Sequence, residues 1–125
     1  MLVEINCETD FVARTDQFKT FCRDVAMHVA ASSPVCVRRE DIDQAIVEKE
    51  REIYRAQMLN EGKPEKIVDK IVDGKIEKFY AESVLMEQPF VKDTDKSVED
   101  YLKETIGSLG ENIMINRFAR FRLGE

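Results

Sequence analysis

At 125 residues the chain has the length of one domain, long enough to bury a substantial core. Its 19 Lys and Arg stand against 25 Asp and Glu, a net charge of −6 that argues against binding a phosphate backbone. No apolar run approaches the ~20 residues of a membrane span, no charged-then-apolar leader precedes a cleavage site, and Cys7, Cys22 and Cys36 fit neither a disulfide framework nor a paired zinc motif. The expectation is a soluble cytoplasmic protein with reduced thiols.

In chain order, Leu2, Glu4 and Asn6 alternate with Val3, Ile5 and Cys7, the period of a half-buried strand. Glu8-Thr9-Asp10 then supplies side-chain acceptors that cap a first helical turn, with Phe11 directly on the corner. Thr15-Asp16 is a second capping pair, so the spacing predicts a single turn and then a fresh helix on another axis. Phe18, Phe21, Cys22, Val25 and Val29 carry that helix from about Thr15 to Ser32, where Ser32-Ser33-Pro34 ends it. Val35-Cys36-Val37 is too short to assign.

A second helix is predicted from about Asp43 to Asn60, with Ile42, Ile46 and Ile53 as its stripe and Glu48–Glu52 as a solvated face. Glu61-Gly62-Lys63-Pro64 breaks it, and Pro64 opens a third helix at the first helical position. Ile67, Val68, Ile71, Val72, Ile76, Phe79 and Tyr80 give that helix a broad apolar side, which Gly74 threatens to interrupt. Lys92–Lys96 reads as solvated surface. A fourth helix runs from near Ser97 through Val98, Tyr101, Leu102, Ile106 and Leu109 to Gly110. In a last strand Ile113, Ile115, Ala119, Phe121 and Leu123 face one way, and Met114, Asn116, Phe118, Arg120 and Arg122 the other. Strand, four helices, strand implies an α+β fold in two layers, a small antiparallel sheet covered on one face by about four helices. Two strands alone are marginal, so a further strand or a second copy of the chain is expected at the edge.

The residues offer little for bond-making chemistry. His28, three and seven residues from Val25 and Phe21, reads as a satisfied, partly buried histidine rather than a base or metal ligand. Cys22 and His28 are six apart, poor geometry for a nucleophile and its base on one helix. No phosphate-cradling loop is present, so no nucleotide, cofactor or metal is expected on this chain. Arg117, Arg120 and Arg122 suit either an acidic partner or protection of a strand edge.

Asp10 and Phe11 admit two readings. In one, Thr9 or Asp10 is an N-cap and Phe11, seven residues before Phe18, is core. In the other, the corner presents Phe11 outward on a rigid base. Glu4-Ile5-Asn6-Cys7-Glu8-Thr9-Asp10-Phe11-Val12-Ala13-Arg14 is similar throughout to the signature of elongation factor Ts. Glu87–Asp93 resembles the loop before the last helix of that family's core domain. Gly110-Glu111-Asn112-Ile113, Arg117-Phe118 and Phe121–Glu125 resemble its closing strand. The layout is similar to the short bacterial form, taken as one core (dimerisation) domain over 1–125 that lacks the family's opening helical module and first core strand.

The resemblance favours the outward reading. It implies a guanine nucleotide exchange factor, not an enzyme, whose partner is the GTPase elongation factor Tu. Thr9, Asp10, Phe11 and Val12 would form the GTPase contact, with Phe11 inserting near the helix that flanks the magnesium ion and loosening GDP. Mg²⁺ demands strict octahedral geometry, so small ligand shifts weaken nucleotide binding, and factor and nucleotide must antagonise each other reciprocally. A homodimer is implied, with no direct nucleic-acid contact, in a bacterial cytoplasm or an organelle matrix or stroma. Two alternatives stand beside this: a dimerisation and partner-binding module with little exchange activity, and a thiol enzyme built on Cys7, Cys22 or Cys36.

Overall fold

The computed structural model describes residues 1–125 and is a mixed α+β structure. The elements are β1 (Leu2–Cys7), α1 (Asp10–Ala13), α2 (Asp16–Ser32), α3 (Gln44–Asn60), α4 (Glu65–Ser83), β2 (Pro89–Phe90), β3 (Asp93–Ser97), α5 (Val98–Leu109) and β4 (Ile113–Ala119). Short 3-10 turns at Arg39–Asp41 and Leu85–Glu87 join them. The single expected sheet is instead two antiparallel pairs, β1 with β4 and β2 with β3. The β2–β3 hairpin was not predicted, because β2 has only two residues and β3 is polar. Within the run read as solvated, Lys92 bonds to the buried carboxylate of Asp24 at 2.9 Å. Lys96 is half-buried and bonds to Glu104 at 2.8 Å.

β1 and β4 enclose the chain's two ends. Val3, Ile5 and Cys7 pair with Phe118, Ile115 and Ile113, and since opposed residues share a face, all six turn toward the helices. A register shift between Glu4 and Ile5 leaves Asn116 as an extra residue in β4. That bulge reverses the alternation. Phe118 therefore sits on the core side with Ile115, not opposite it as strict alternation required. Regular strand ends at Ala119, so the predicted continuation through Phe121 and Leu123 does not form and both side chains are exposed.

Two apolar clusters result. The first packs Phe18, Phe21, Val25 and Val29 of α2 against Val98 and Leu102 of α5 and Ile113 and Ile115 of β4. Phe21 is fully buried and meets the Tyr101 ring edge-on at 5.0 Å. The Tyr101 hydroxyl donates to Asp24 at 2.7 Å, and burial together with that bond raises its pKa. The second cluster is the seam of the α3–α4 hairpin, with Val47 and Met58 against Val68, Val72 and Ile76, and with Ile42 at its root.

Here the predicted stripe of α3 is rotated by one residue. Ile46 and Ile53 are exposed, whereas Val47, Tyr54 and Met58, at spacings of seven and four, meet α4. α3 packs chiefly on one other helix, so the seam with α4 selects which of its residues are buried. α4 runs through Gly74 without a break; the position faces open space, and the buried Val72 and Ile76 on either side hold the helix against α3. Pro64 is the N-cap, one residue ahead of the first helical position. The unassigned Val35–Val37 segment runs beside the chain after α4: Val35 N–H donates to Ser83 O at 2.8 Å and Leu85 N–H to Cys36 O at 2.9 Å.

The hairpin is fastened to the rest by Arg39. Its guanidinium donates to Glu77 at 3.0 and 2.9 Å and to Glu87 at 3.1 and 2.5 Å. It also lies 4.2 Å from the Tyr80 ring centroid. Lysine cannot reproduce two bidentate contacts. Because the Arg39 side chain is 39% exposed, solvent screening limits the loss. Arg39→Lys is expected to lower stability by about 1 kcal/mol or less in urea unfolding, and by less still in high salt.

Candidate partner-binding site

The corner after β1 is built by two caps in succession. Thr9 is extended (φ −134°, ψ 155°), and its hydroxyl oxygen accepts the Val12 N–H at 3.3 Å. One turn later Arg14 N–H still bonds to Asp10 O, at 3.2 Å, but Thr15 stops the helix: its hydroxyl donates to Val12 O at 2.7 Å and accepts the Phe18 N–H at 3.2 Å. α1 is thus a single turn, and α2 starts anew at Asp16. The predicted break is present.

Four residues in a row consequently have different fates. Val12 points inward and joins the first cluster beside Phe18. Phe11 points outward and is 78% exposed. Asp10 is exposed beside it and lies 3.4 Å from Arg14, a solvent-screened pair. Thr9 is exposed too, but its hydroxyl is occupied as cap and donor. The structure therefore brings Thr9, Asp10 and Phe11 to one surface and turns Val12 away from it. A phenylalanine this exposed is not placed by the core; it sits on a base held from below.

One contributor was missed by sequence reasoning. Glu111, just past α5, accepts the N–H groups of Glu8 at 3.0 Å and Thr9 at 2.9 Å on Oε1, and the Thr9 hydroxyl at 2.9 Å on Oε2. In return Glu8 accepts the Asn112 N–H at 2.9 Å. The Gly-Glu-Asn-Ile stretch was the available signal, but nothing local shows that it reaches a corner more than a hundred residues earlier.

Other chemistry-bearing residues are used inside the fold. His28 is fully buried: its Nδ1 accepts the Val91 N–H at 3.1 Å, so its Nε2–H donates to Gln88 Oε1 at 2.9 Å. Gln88 passes the bonding on to Ser32 O and Glu82 O. Burial lowers the His28 pKa below its ordinary 6.5, against a smaller opposing effect of the Gln88 bond. The neutral ring is the folded form, so this group's stabilising contribution is complete above pH 6.5. It is lost as pH falls below 6.5 toward the depressed value. Urea midpoints between pH 5 and 8 are expected to fall on the acid side, and His28→Gln should flatten that dependence.

The cysteines are unpaired. Burial, aided by nearby Cys7, pushes the Cys22 thiol up to about 11, so it stays protonated near neutrality. Cys36 is raised as well. Both His28 nitrogens are committed and the Cys22 and Cys36 thiols are held protonated, which counts against a thiol enzyme built on either of them. No three His, Cys, Asp or Glu residues gather as metal donors would, and no helix is long and apolar enough to cross a membrane.

Comparison of the sequence with known proteins identifies a family. A family model described as "Elongation factor TS" matches residues 19–125. An elongation factor Ts of Carboxydothermus hydrogenoformans is 62% identical over all 125 residues of this chain, which cover 58% of that protein. Those of Geotalea uraniireducens and Thermoanaerobacter sp. (strain X514) are each 58% identical over the whole chain, with 58% and 61% of their lengths covered. The chain thus spans about three fifths of these curated relatives. The relatives align across the Thr9–Phe11 corner, which precedes the part that the family model matches. On both comparisons, the chain belongs to the elongation factor Ts family.

Proposed function

We propose that this chain is the core of a guanine nucleotide exchange factor that binds elongation factor Tu and promotes release of its GDP. Asp10 and Phe11 make the contact near the magnesium and nucleotide site, while Thr9 and Val12 anchor the corner that presents them. The observation that carries this reading is the outward Phe11 ring, 78% exposed on a turn capped at both ends. Membership of the elongation factor Ts family supports the partner. In this reading the chain acts by displacing a bound ligand rather than by making or breaking bonds.

A second reading has its own support. The β1–β4 sheet has only two strands, with Leu2, Met114, Phe121 and Leu123 exposed on or beside it. Such a sheet is marginal alone. In this reading the chain dimerises and binds the GTPase, with little exchange activity by itself. Release of labelled GDP from elongation factor Tu, with wild-type chain beside Phe11→Ala, tests the first reading. A folded wild-type chain that binds without accelerating release would favour the second.

A further inference from the structure

We propose that Glu111 is the positioning residue that holds the Thr9–Phe11 corner in its partner-ready orientation. The proposal rests on the reading that this corner contacts the GTPase.

A four-residue helix cannot hold itself, since the first helical turn fixes several residues for a single hydrogen bond. α1 must therefore be anchored from outside, and besides the Thr15 hydroxyl on Val12 O it has two anchors. Val12 is one, sunk in the core. Glu111 is the other. Gly110 ends α5 in the left-handed region (φ 75°), where a side chain would be strained, and this turn delivers Glu111 beneath the corner. Its carboxylate then takes three donors there, the Glu8 and Thr9 N–H groups and the Thr9 hydroxyl.

Donation to Glu111 also fixes the direction of the Thr9 proton. The lone pairs of the Thr9 hydroxyl are left to accept the Val12 N–H, so the cap of α1 and the clasp to Glu111 form one chain of bonds. Bonds to a carboxylate are among the stronger ones. The Glu8–Asn112 bond closes the clasp from the other side.

These bonds lie near solvent. Without Glu111, water can satisfy the released donors, so the fold survives while the corner becomes mobile. A mobile Phe11 must be ordered on binding, which weakens affinity without removing any contact.

The test uses the full chain with Glu111→Ala and Glu111→Gln, in two measurements. Glutamine keeps a carbonyl oxygen that can accept both N–H groups, so it should rescue. In amide hydrogen exchange of the chain alone, Glu111→Ala is expected to speed exchange at Glu8 and Thr9 about tenfold. Val25 and Ile115 should be unchanged, and Glu111→Gln should stay near wild type. In calorimetric titration against elongation factor Tu, Kd should rise about tenfold for Glu111→Ala and return to within about threefold for Glu111→Gln.

Phe11→Ala is titrated in parallel. If it binds like wild type, the GTPase-contact reading fails, and the exchange arm still decides whether Glu111 holds the corner. If Phe11→Ala weakens binding while Glu111→Ala changes neither measurement, the positioning role is overturned. A uniform rise in exchange that includes Val25 and Ile115 in both Glu111 variants also overturns it, since Glu111 would then support the whole fold.

Discussion

Phe11→Ala is expected to reduce the chain's acceleration of GDP release from elongation factor Tu by about 10- to 100-fold, with no change in its own unfolding midpoint. Both halves follow from exposure. The ring is 78% exposed in the free chain, so truncating it opens no cavity, and surface substitutions of this kind stay within about 0.5 kcal/mol. In a complex that buries it, the ring contributes about 1.5–3 kcal/mol, a factor of about 10 to 100 at roughly 1.4 kcal/mol per tenfold.

The same magnitudes set a ceiling. A ~1000-fold acceleration needs roughly 4 kcal/mol of differential stabilisation, more than one phenylalanine supplies after the costs of ordering an interface. Acceleration by this chain alone is therefore expected to stay below that of a full-length relative. Stopped-flow release of a fluorescent GDP analogue measures both effects. Full activity in a folded Phe11→Ala chain would place the contact elsewhere.

Phe21→Ala should do the reverse, costing about 3–5 kcal/mol of stability. Phe21 is fully buried and packs edge-on against Tyr101, whose ring in turn lies 4.7 Å from Phe90. Truncation removes the apolar part of the link between α2, α5 and the β2–β3 hairpin and leaves a cavity where the ring stood. Against a typical total of about 5–15 kcal/mol, this removes between about a fifth and all of the stability. Urea unfolding reads the cost as a lower midpoint at unchanged slope. A loss under about 1 kcal/mol would mean that this cluster is not the one holding the fold. Two phenylalanines ten positions apart are thus expected to separate by effect, Phe11 at the proposed partner contact and Phe21 in the fold.

Much of this was legible along the chain because it depends on neighbours in sequence. The caps at Thr9, Thr15, Asp43 and Ser97 each satisfy N–H groups two or three residues on. Their side chains alone therefore announce where helices begin. The stripe of α2 was read correctly because it faces a broad core, where five apolar positions at helical spacing leave one solution. The corner and its break before α2 were visible for the same local reason.

What escaped depends on contacts between distant segments. The bulge at Asn116 that turns Phe118 inward exists only because β4 pairs with β1. The seam of α3 is set by α4 and not by the composition of α3. The β2–β3 hairpin closes although β3 is polar, held in part by Lys92 reaching Asp24 on α2. Above all, sequence determined that an aromatic ring stands beside a carboxylate at a capped corner. Only the folded chain decided that Val12 faces in, Phe11 faces out, and Glu111 clasps the corner from the far end of the chain. Capping is satisfied within three or four residues, whereas side-chain direction and long-range bonds are chosen by whatever the chain packs against them.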